Sequence, residues 1–252
     1  MEEIVMVSRQ FQHPTLLGLL EEKYRVHRLW EASEPEEFIK NHCQGVRAMV
    51  TDFSKAPKEF ISLLPKLGCI SNFGVGYDNV DVDSLTARGI PLVLAIGSNA
   101  VSVAEHAMYL ILTLTKQGFL YHKAVQKGLF DFRQRPLSTN LQGKSILVIG
   151  FGRTGSRAAA RAAAFDMNIF VIDPYINPDI IRRAGGTVVT DLATVLPHMD
   201  VVAIHCPKTP ETRNLIGRTA LDAMKASAIL INTARGCLLY TSPSPRDATL
   251  SR

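Results

Sequence analysis

Three glycines spaced Gly150-x-Gly152-x-x-Gly155 stand between an apolar run, Ser145-Ile146-Leu147-Val148-Ile149, and a stretch rich in alanine and arginine. This spacing suits the binding of a diphosphate. Gly150 permits a tight strand-to-helix turn, Gly152 lets the backbone approach the phosphates, and Gly155 lets helix and strand pack closely. A helix opening at such a turn offers free N–H groups and a partial positive charge to an anion. Asp173 stands 18 residues after Gly155, at the end of the next apolar run. A carboxylate there accepts hydrogen bonds from an adenosine ribose and repels a 2′-phosphate, which favours NAD over NADP. The plainer alternative is that Asp173-Pro174 only ends a strand and starts a turn. Strand, glycines, helix, strand and acid in that order favour a dinucleotide.

The elements that must position these groups follow from apolar runs alternating with helical stretches. Up to residue 99, strands are expected at 4–7, 24–29, 48–51, 69–72 and 91–95, and helices at 14–22, 35–40, 57–64 and 81–88. The run 69–72 leads into the glycine turn Gly74-Val75-Gly76. The segment 100–127 is apolar on nearly every side through 104–114, which predicts a helix buried on most sides, between domains or subunits. The stretch 128–143, with Pro136, Ser138, Thr139 and Asn140, reads as a boundary. A second series follows, with strands at 145–149, 168–172, 187–189, 201–205 and 229–232 and helices at 154–164, 178–184, 192–196 and 218–224. The alternation predicts an α/β fold with parallel sheets in two units.

Composition narrows the function classes. With 252 residues, 46% hydrophobic and 20% charged, the chain has the balance of an ordinary globular protein with room for two cores. Its net charge of +5 comes from scattered Lys and Arg. That argues against nucleic acid and suits an anionic dinucleotide and a carboxylate. The four cysteines, Cys43, Cys69, Cys206 and Cys237, make no C-x-x-C pair, so neither a disulfide framework nor a metal site is expected. The acidic start MEEIVMVS is unlike a secretory signal, and no apolar run is long enough to span a bilayer. Both points favour the cytoplasm.

Three further stretches go beyond a generic dinucleotide fold. They are Asn72-Phe73-Gly74-Val75-Gly76-Tyr77-Asp78-Asn79-Val80-Asp81, then His205-Cys206-Pro207-Lys208-Thr209-Pro210-Glu211-Thr212-Arg213, then Ile231-Asn232-Thr233-Ala234-Arg235-Gly236. With Val103-Ala104-Glu105-His106 and the glycine fingerprint, they make residues 1–236 resemble the D-isomer specific 2-hydroxyacid dehydrogenase family. That family includes phosphoglycerate dehydrogenase and the glyoxylate/hydroxypyruvate reductases. The resemblance implies a flavodoxin-like substrate-binding domain over 1–99 and a Rossmann NAD-binding domain over 100–236, with NAD held in the cleft they form. It implies that Val75 and Gly76 meet the substrate carboxylate through backbone N–H groups. Gly150, Gly152, Gly155, Arg153 and Thr154 would lie at the pyrophosphate and Asp173 at the ribose. Cys206, Pro207 and Thr233 would line the nicotinamide side, with Thr212 counted among the cofactor-binding residues. Arg235 matches the family's catalytic, substrate-binding arginine, whose planar fork can hold a carboxylate or keto oxygen and polarise the carbonyl. His205 and His106 are not at the position of the family's catalytic histidine; the first is expected to pack near the cofactor and the second to be structural.

The implied activity is hydride transfer between NAD(H) and a small 2-keto or 2-hydroxy acid. An NAD-sensing corepressor-like interaction protein and a formate- or phosphonate-type dehydrogenase are the alternatives. A homodimer of the complete protein, formed through the region 100–127, is also implied. The sequence departs from the family after Gly236. The family's acid–base histidine and its partner glutamate lie beyond that strand, and this chain offers neither. Residues 237–252, CLLYTSPSPRDATLSR, are neither helix nor strand by pattern and read as translated sequencing adapter. On this reading the tail is not native, the NAD-binding domain is incomplete at its C-terminus, and the chain as written is a poor catalyst.

Overall fold

The apolar runs become strands of parallel sheets covered by helices, and the runs 146–149 and 201–204 are buried on both faces. The computed structural model describes residues 1–7, 14–51, 56–129, 131 and 138–239. The chain divides into two units, Met1–Ser98 and Asn99–Arg252. In the first, strands β1 (Glu2–Met6), β2 (Tyr24–Arg28), β3 (Val46–Thr51), β4 (Cys69–Asn72) and β5 (Leu92–Leu94) alternate with helices α1 (Pro14–Glu21), α2 (Pro35–His42), α3 (Lys58–Ser62) and α4 (Val82–Ala87). They build one five-stranded sheet ordered β2-β1-β3-β4-β5, parallel throughout. This is the flavodoxin-like order. Val5, Met49 and Ile70 from the strands and Ile39, Ile61 and Leu85 from the helices share its core. Each such side chain stabilises the unit by roughly 1.5–3 kcal/mol on burial.

Local signals set the helix ends. Pro35 opens α2, with Glu36 and Glu37 in its first turn and Lys40 and His42 in its last, all favourable to the helix dipole. Asp81 caps α4 by accepting from the Ser84 N–H at 2.8 Å.

The second unit opens with α5 (Ala100–Thr115) and α6 (Gly118–Gln126). Then come β6 (Ser145–Ile149), α7 (Arg153–Ala163), β7 (Asn168–Ile172), α8 (Pro178–Arg183), β8 (Thr187–Val188), α9 (Leu192–Val195), β9 (Val201–Ile204), α10 (Arg218–Ala223) and β10 (Ile229–Asn232). The strands form a second parallel sheet ordered β10-β9-β6-β7-β8. Numbered from β6 and read from the β8 edge, the order is 3-2-1-4-5, that of the Rossmann fold. Leu147, Val148, Val171 and Val202 are fully buried in it. Among the described residues no helix is long and apolar enough to cross a membrane.

Two expectations are corrected. The segment 100–127 is not one helix, because Gln117 adopts a left-handed conformation at φ 54° and separates α5 from α6. Within the single chain only one side of it is buried. Ala100, Ala104, Ala107, Met108, Ile111 and Thr115 face inward, while Val101, Tyr109, Leu114, Phe119, Leu120 and Val125 are exposed. The stretch 128–143 is not the boundary, for the division falls after Ser98 and that stretch is internal to the second unit. Residues 130 and 132–137 of it lie outside the described residues. In the tail, Gly236–Leu238 makes a 3-10 turn, Leu239 bridges to Ile216, and Leu238 is fully buried. Residues 240–252 lie outside the described residues, and so does the adapter-like reading of them.

Candidate functional site

The carboxyl ends of β10, β9, β6 and β7 are neighbours in the second sheet. The strand order reverses direction between β6 and β9, and open α/β sheets leave a ligand crevice at such a point. Gly150, at the end of β6, has φ +92°, and a Cβ there would meet the Cys206 backbone N at 2.8 Å. Gly155 is needed for contact, since its Cβ would fall 1.8 Å from the Gly150 carbonyl oxygen. Gly152 differs from both: a Cβ there meets nothing within 4 Å. It precedes α7 with no side-chain cap, so the N–H groups of Arg153, Thr154 and Gly155 open onto this space without intrahelical acceptors. Gly152 and Arg153 are exposed and Thr154 is half-buried. Asp173, one residue past β7, accepts from the Phe151 N–H at 2.7 Å and the Tyr175 N–H at 2.9 Å. The carboxylate therefore ends its strand and also fixes the glycine turn.

The β9 and β10 ends form the other wall. His205 Nδ1 lies 3.2 Å from the Thr233 hydroxyl, while its Nε2 is buried with no partner among the described residues. Burial pulls the His205 pKa down to about 4, so the ring is neutral near pH 7 and is no proton donor there. Burial likewise pushes the Cys206 thiol up to about 11, making it an uncharged surface. Pro207 is exposed next to it. The Thr212 hydroxyl is used inside its own loop, donating to the Pro207 carbonyl at 2.8 Å and accepting from the Thr209 N–H at 2.7 Å. Arg235 is half-buried, and its Nη1 donates to the Ala234 carbonyl at 3.0 Å.

Asn232 was not among the candidates, yet it shapes this loop. Its Nδ2 donates to the Arg235 carbonyl at 2.7 Å and its Oδ1 accepts from the Ala234 N–H at 3.0 Å. An asparagine that ends a strand just before a tight loop is the signal that could have found it.

In the first unit, Val75 and Gly76 follow β4 in an exposed turn, with Val75 43% exposed. Asn72, also missed, is buried beneath them and donates to the Gly74 and Gly76 carbonyls. Glu105 forms an ion pair with Arg161 at 2.9 Å, and His106 stacks on Tyr109.

A dinucleotide fits the residues present. The space at Gly152 and the uncapped first turn of α7 suit a diphosphate, and Asp173 keeps lone pairs that a ribose hydroxyl could use. Residues 108–242 match the family model described as D-isomer specific 2-hydroxyacid dehydrogenase, NAD binding domain. The chain is 36% identical over 204 residues to D-3-phosphoglycerate dehydrogenase of Methanocaldococcus jannaschii, covering 81% of this chain and 39% of the relative. It thus spans about two fifths of the length of that relative. It is 34% identical over 218 residues to glyoxylate/hydroxypyruvate reductase A of Arabidopsis thaliana, covering 86% of this chain and 68% of the relative. Among solved structures it is similar to D-lactate dehydrogenase from Aquifex aeolicus complexed with NAD and lactic acid. There the TM-score is 0.81 at 28% identity, over 94% of this chain and 70% of that one.

Proposed function

The chain belongs to the D-isomer specific 2-hydroxyacid dehydrogenase family, and from that premise we propose that it carries hydride transfer between NAD(H) and C2 of a small 2-oxo or 2-hydroxy acid. The observation that supports this is the meeting of the glycine turn, Asp173 and the Arg235 loop at the carboxyl ends of adjacent strands of one sheet. When bound, the nicotinamide supplies or takes the hydride. The chain's own residues bind and orient. Gly150, Gly152, Gly155, Arg153 and Thr154 hold the pyrophosphate, Asp173 the ribose, and Cys206, Pro207 and Thr233 flank the nicotinamide. Thr212 acts on this wall by fixing the loop that carries Pro207. Val75 and Gly76 donate to the substrate carboxylate, and Arg235 holds a carboxylate or keto oxygen and draws electron density from the carbonyl. Burial keeps His205 neutral near pH 7, so proton transfer is not assigned to it.

The test combines binding with isotope transfer. Calorimetry is expected to give one NADH site, with NADPH weaker by about tenfold, ~1.4 kcal/mol. Deuterium from 4-deuterated NADH is expected in glycolate after incubation with glyoxylate, and Arg235→Ala is expected to abolish it. An absent NADH site, or glycolate with no label, would sink the reading. The same reading includes a homodimer built on the exposed apolar residues of α5 and α6, and a cytoplasmic location consistent with four free cysteines.

A further inference from the structure

We propose that Asn72 is the positioning residue that makes the turn after β4 an anion site; this rests on the assignment of that turn to the substrate carboxylate. Asn72 is the last residue of β4 and is 1% exposed. Its Nδ2 donates to the Gly74 carbonyl at 3.1 Å, which also accepts from the Ala95 N–H at 3.3 Å, and to the Gly76 carbonyl at 2.9 Å, which has no other acceptor role among the described backbone bonds. Both amide protons are thereby spent on carbonyls two residues apart. In a planar trans peptide, the C=O of one residue points opposite to the N–H of the next. Drawing the Gly74 oxygen inward therefore turns the Val75 N–H away from Asn72, and drawing the Gly76 oxygen inward does the same for the Tyr77 N–H. Val75 and Tyr77 are 43% and 49% exposed, and their N–H groups flank Gly76. Among the described residues, no backbone carbonyl accepts from the N–H of Val75, Gly76 or Tyr77. Neighbouring backbone N–H groups left without backbone acceptors and turned to the same side are the donors that an anion-binding turn requires.

The choice of side chain is informative. Asn72 Oδ1 is buried without a partner, a cost that an apolar residue of the same shape would avoid. What leucine lacks is the pair of donors. Aspartate has the shape of asparagine but offers two acceptors to the two carbonyls and adds a charge that repels a carboxylate. Serine retains at most one short donor. The arrangement thus demands a branched side chain with two N–H bonds at one atom.

The experiment is a titration of the ¹⁵N-labelled chain, saturated with NADH, with oxamate, an unreactive isostere of a 2-oxo acid. The amide signals of Val75 and Gly76, the donors assigned above, and of the adjoining Tyr77 are expected to shift. Asn72→Asp and Asn72→Ser are expected to weaken oxamate by about tenfold or more, the former more strongly. Their affinity for NADH is expected to stay within about twofold, a selectivity that a merely structural loss would not produce. Wild-type signals at 74–77 that ignore bound oxamate would overturn the carboxylate assignment and this role with it. Wild-type signals that respond, with both variants binding oxamate as tightly, would overturn the role of Asn72 alone. Should both variants unfold, the wild-type side-chain amide decides. Nδ2 protons exchanging about a hundredfold more slowly than those of an exposed asparagine support the clamp, and exchange at the exposed rate overturns it.

Discussion

At the residue scale, one added methyl group separates the glycines of the β6–α7 turn. At Gly150 it would strike the backbone of Cys206 and would also have to sit at φ +92°. At Gly152 it would meet no protein atom. Gly150→Ala is therefore expected to destabilise the second unit by about 2–4 kcal/mol, from strain plus overlap with backbone that cannot swing aside. Gly152→Ala is expected to leave the urea midpoint unchanged while weakening NADH by about tenfold, because the methyl occupies space that the diphosphate needs. Denaturation curves and NADH titrations of the two variants check this. Equal effects of both on NADH at equal stability would mean that the turn is only a packing device. The glycine spacing was legible in the sequence because the constraint is local. The clamps by Asn72 and Asn232 were not, since each depends on which carbonyls the loop brings back to the strand end. The use of the Thr212 hydroxyl within its own loop was hidden for the same reason.

At the element scale, the glycine turn stays in place only if β6, β9 and β10 start in register, and one carboxylate ties their starts together. Asp200 accepts from the Ser145 N–H at 2.9 Å and from Lys225 Nζ at 3.0 Å, with Lys144 Nζ at 3.7 Å. Its own N–H donates to the Ser145 carbonyl, and its carbonyl accepts from the Ile229 N–H. Burial opposes the charge, but the Ser145 N–H and the two lysines outweigh it and hold the acid below its ordinary 3.8. A depressed folded pKa means that the stabilisation is present above about pH 4 and is lost as pH falls through the folded value. Asp200→Asn is expected to lower stability at pH 7 by about 1–2 kcal/mol, with the gap to wild type closing below about pH 4. Urea titrations at both pH values test it, and a gap independent of pH would show that the charge is irrelevant.

Strand positions were readable because continuous apolar runs admit few alternatives; β4, β6, β7 and β10 fall where the sequence places them. The break at Gln117 was not readable, because no proline announces it and the apolar character continues into α6.

At the scale of the whole molecule, the apolar character of 100–127 is explained only in part by its own unit. The inward face of α5 packs in a core with Ile146, Val148, Ala159 and Ala162. The remaining apolar side chains stay in water: Tyr109 at 52% exposure, Phe119 at 64% and Val125 at 77%. A helical pair that keeps such groups exposed is a surface on which association is favoured, since each buried Å² of apolar area contributes about 25 cal/mol. Light scattering at about 50 μM is therefore expected to give twice the chain mass, a concentration at which even a micromolar dimer is mostly formed. Phe119→Glu with Val125→Glu places charges on that surface but not in the α5 core. The double variant is expected to be monomeric and to keep its NADH affinity. A wild-type chain that is monomeric at that concentration, or a variant that still dimerises, would remove α5 and α6 as the interface.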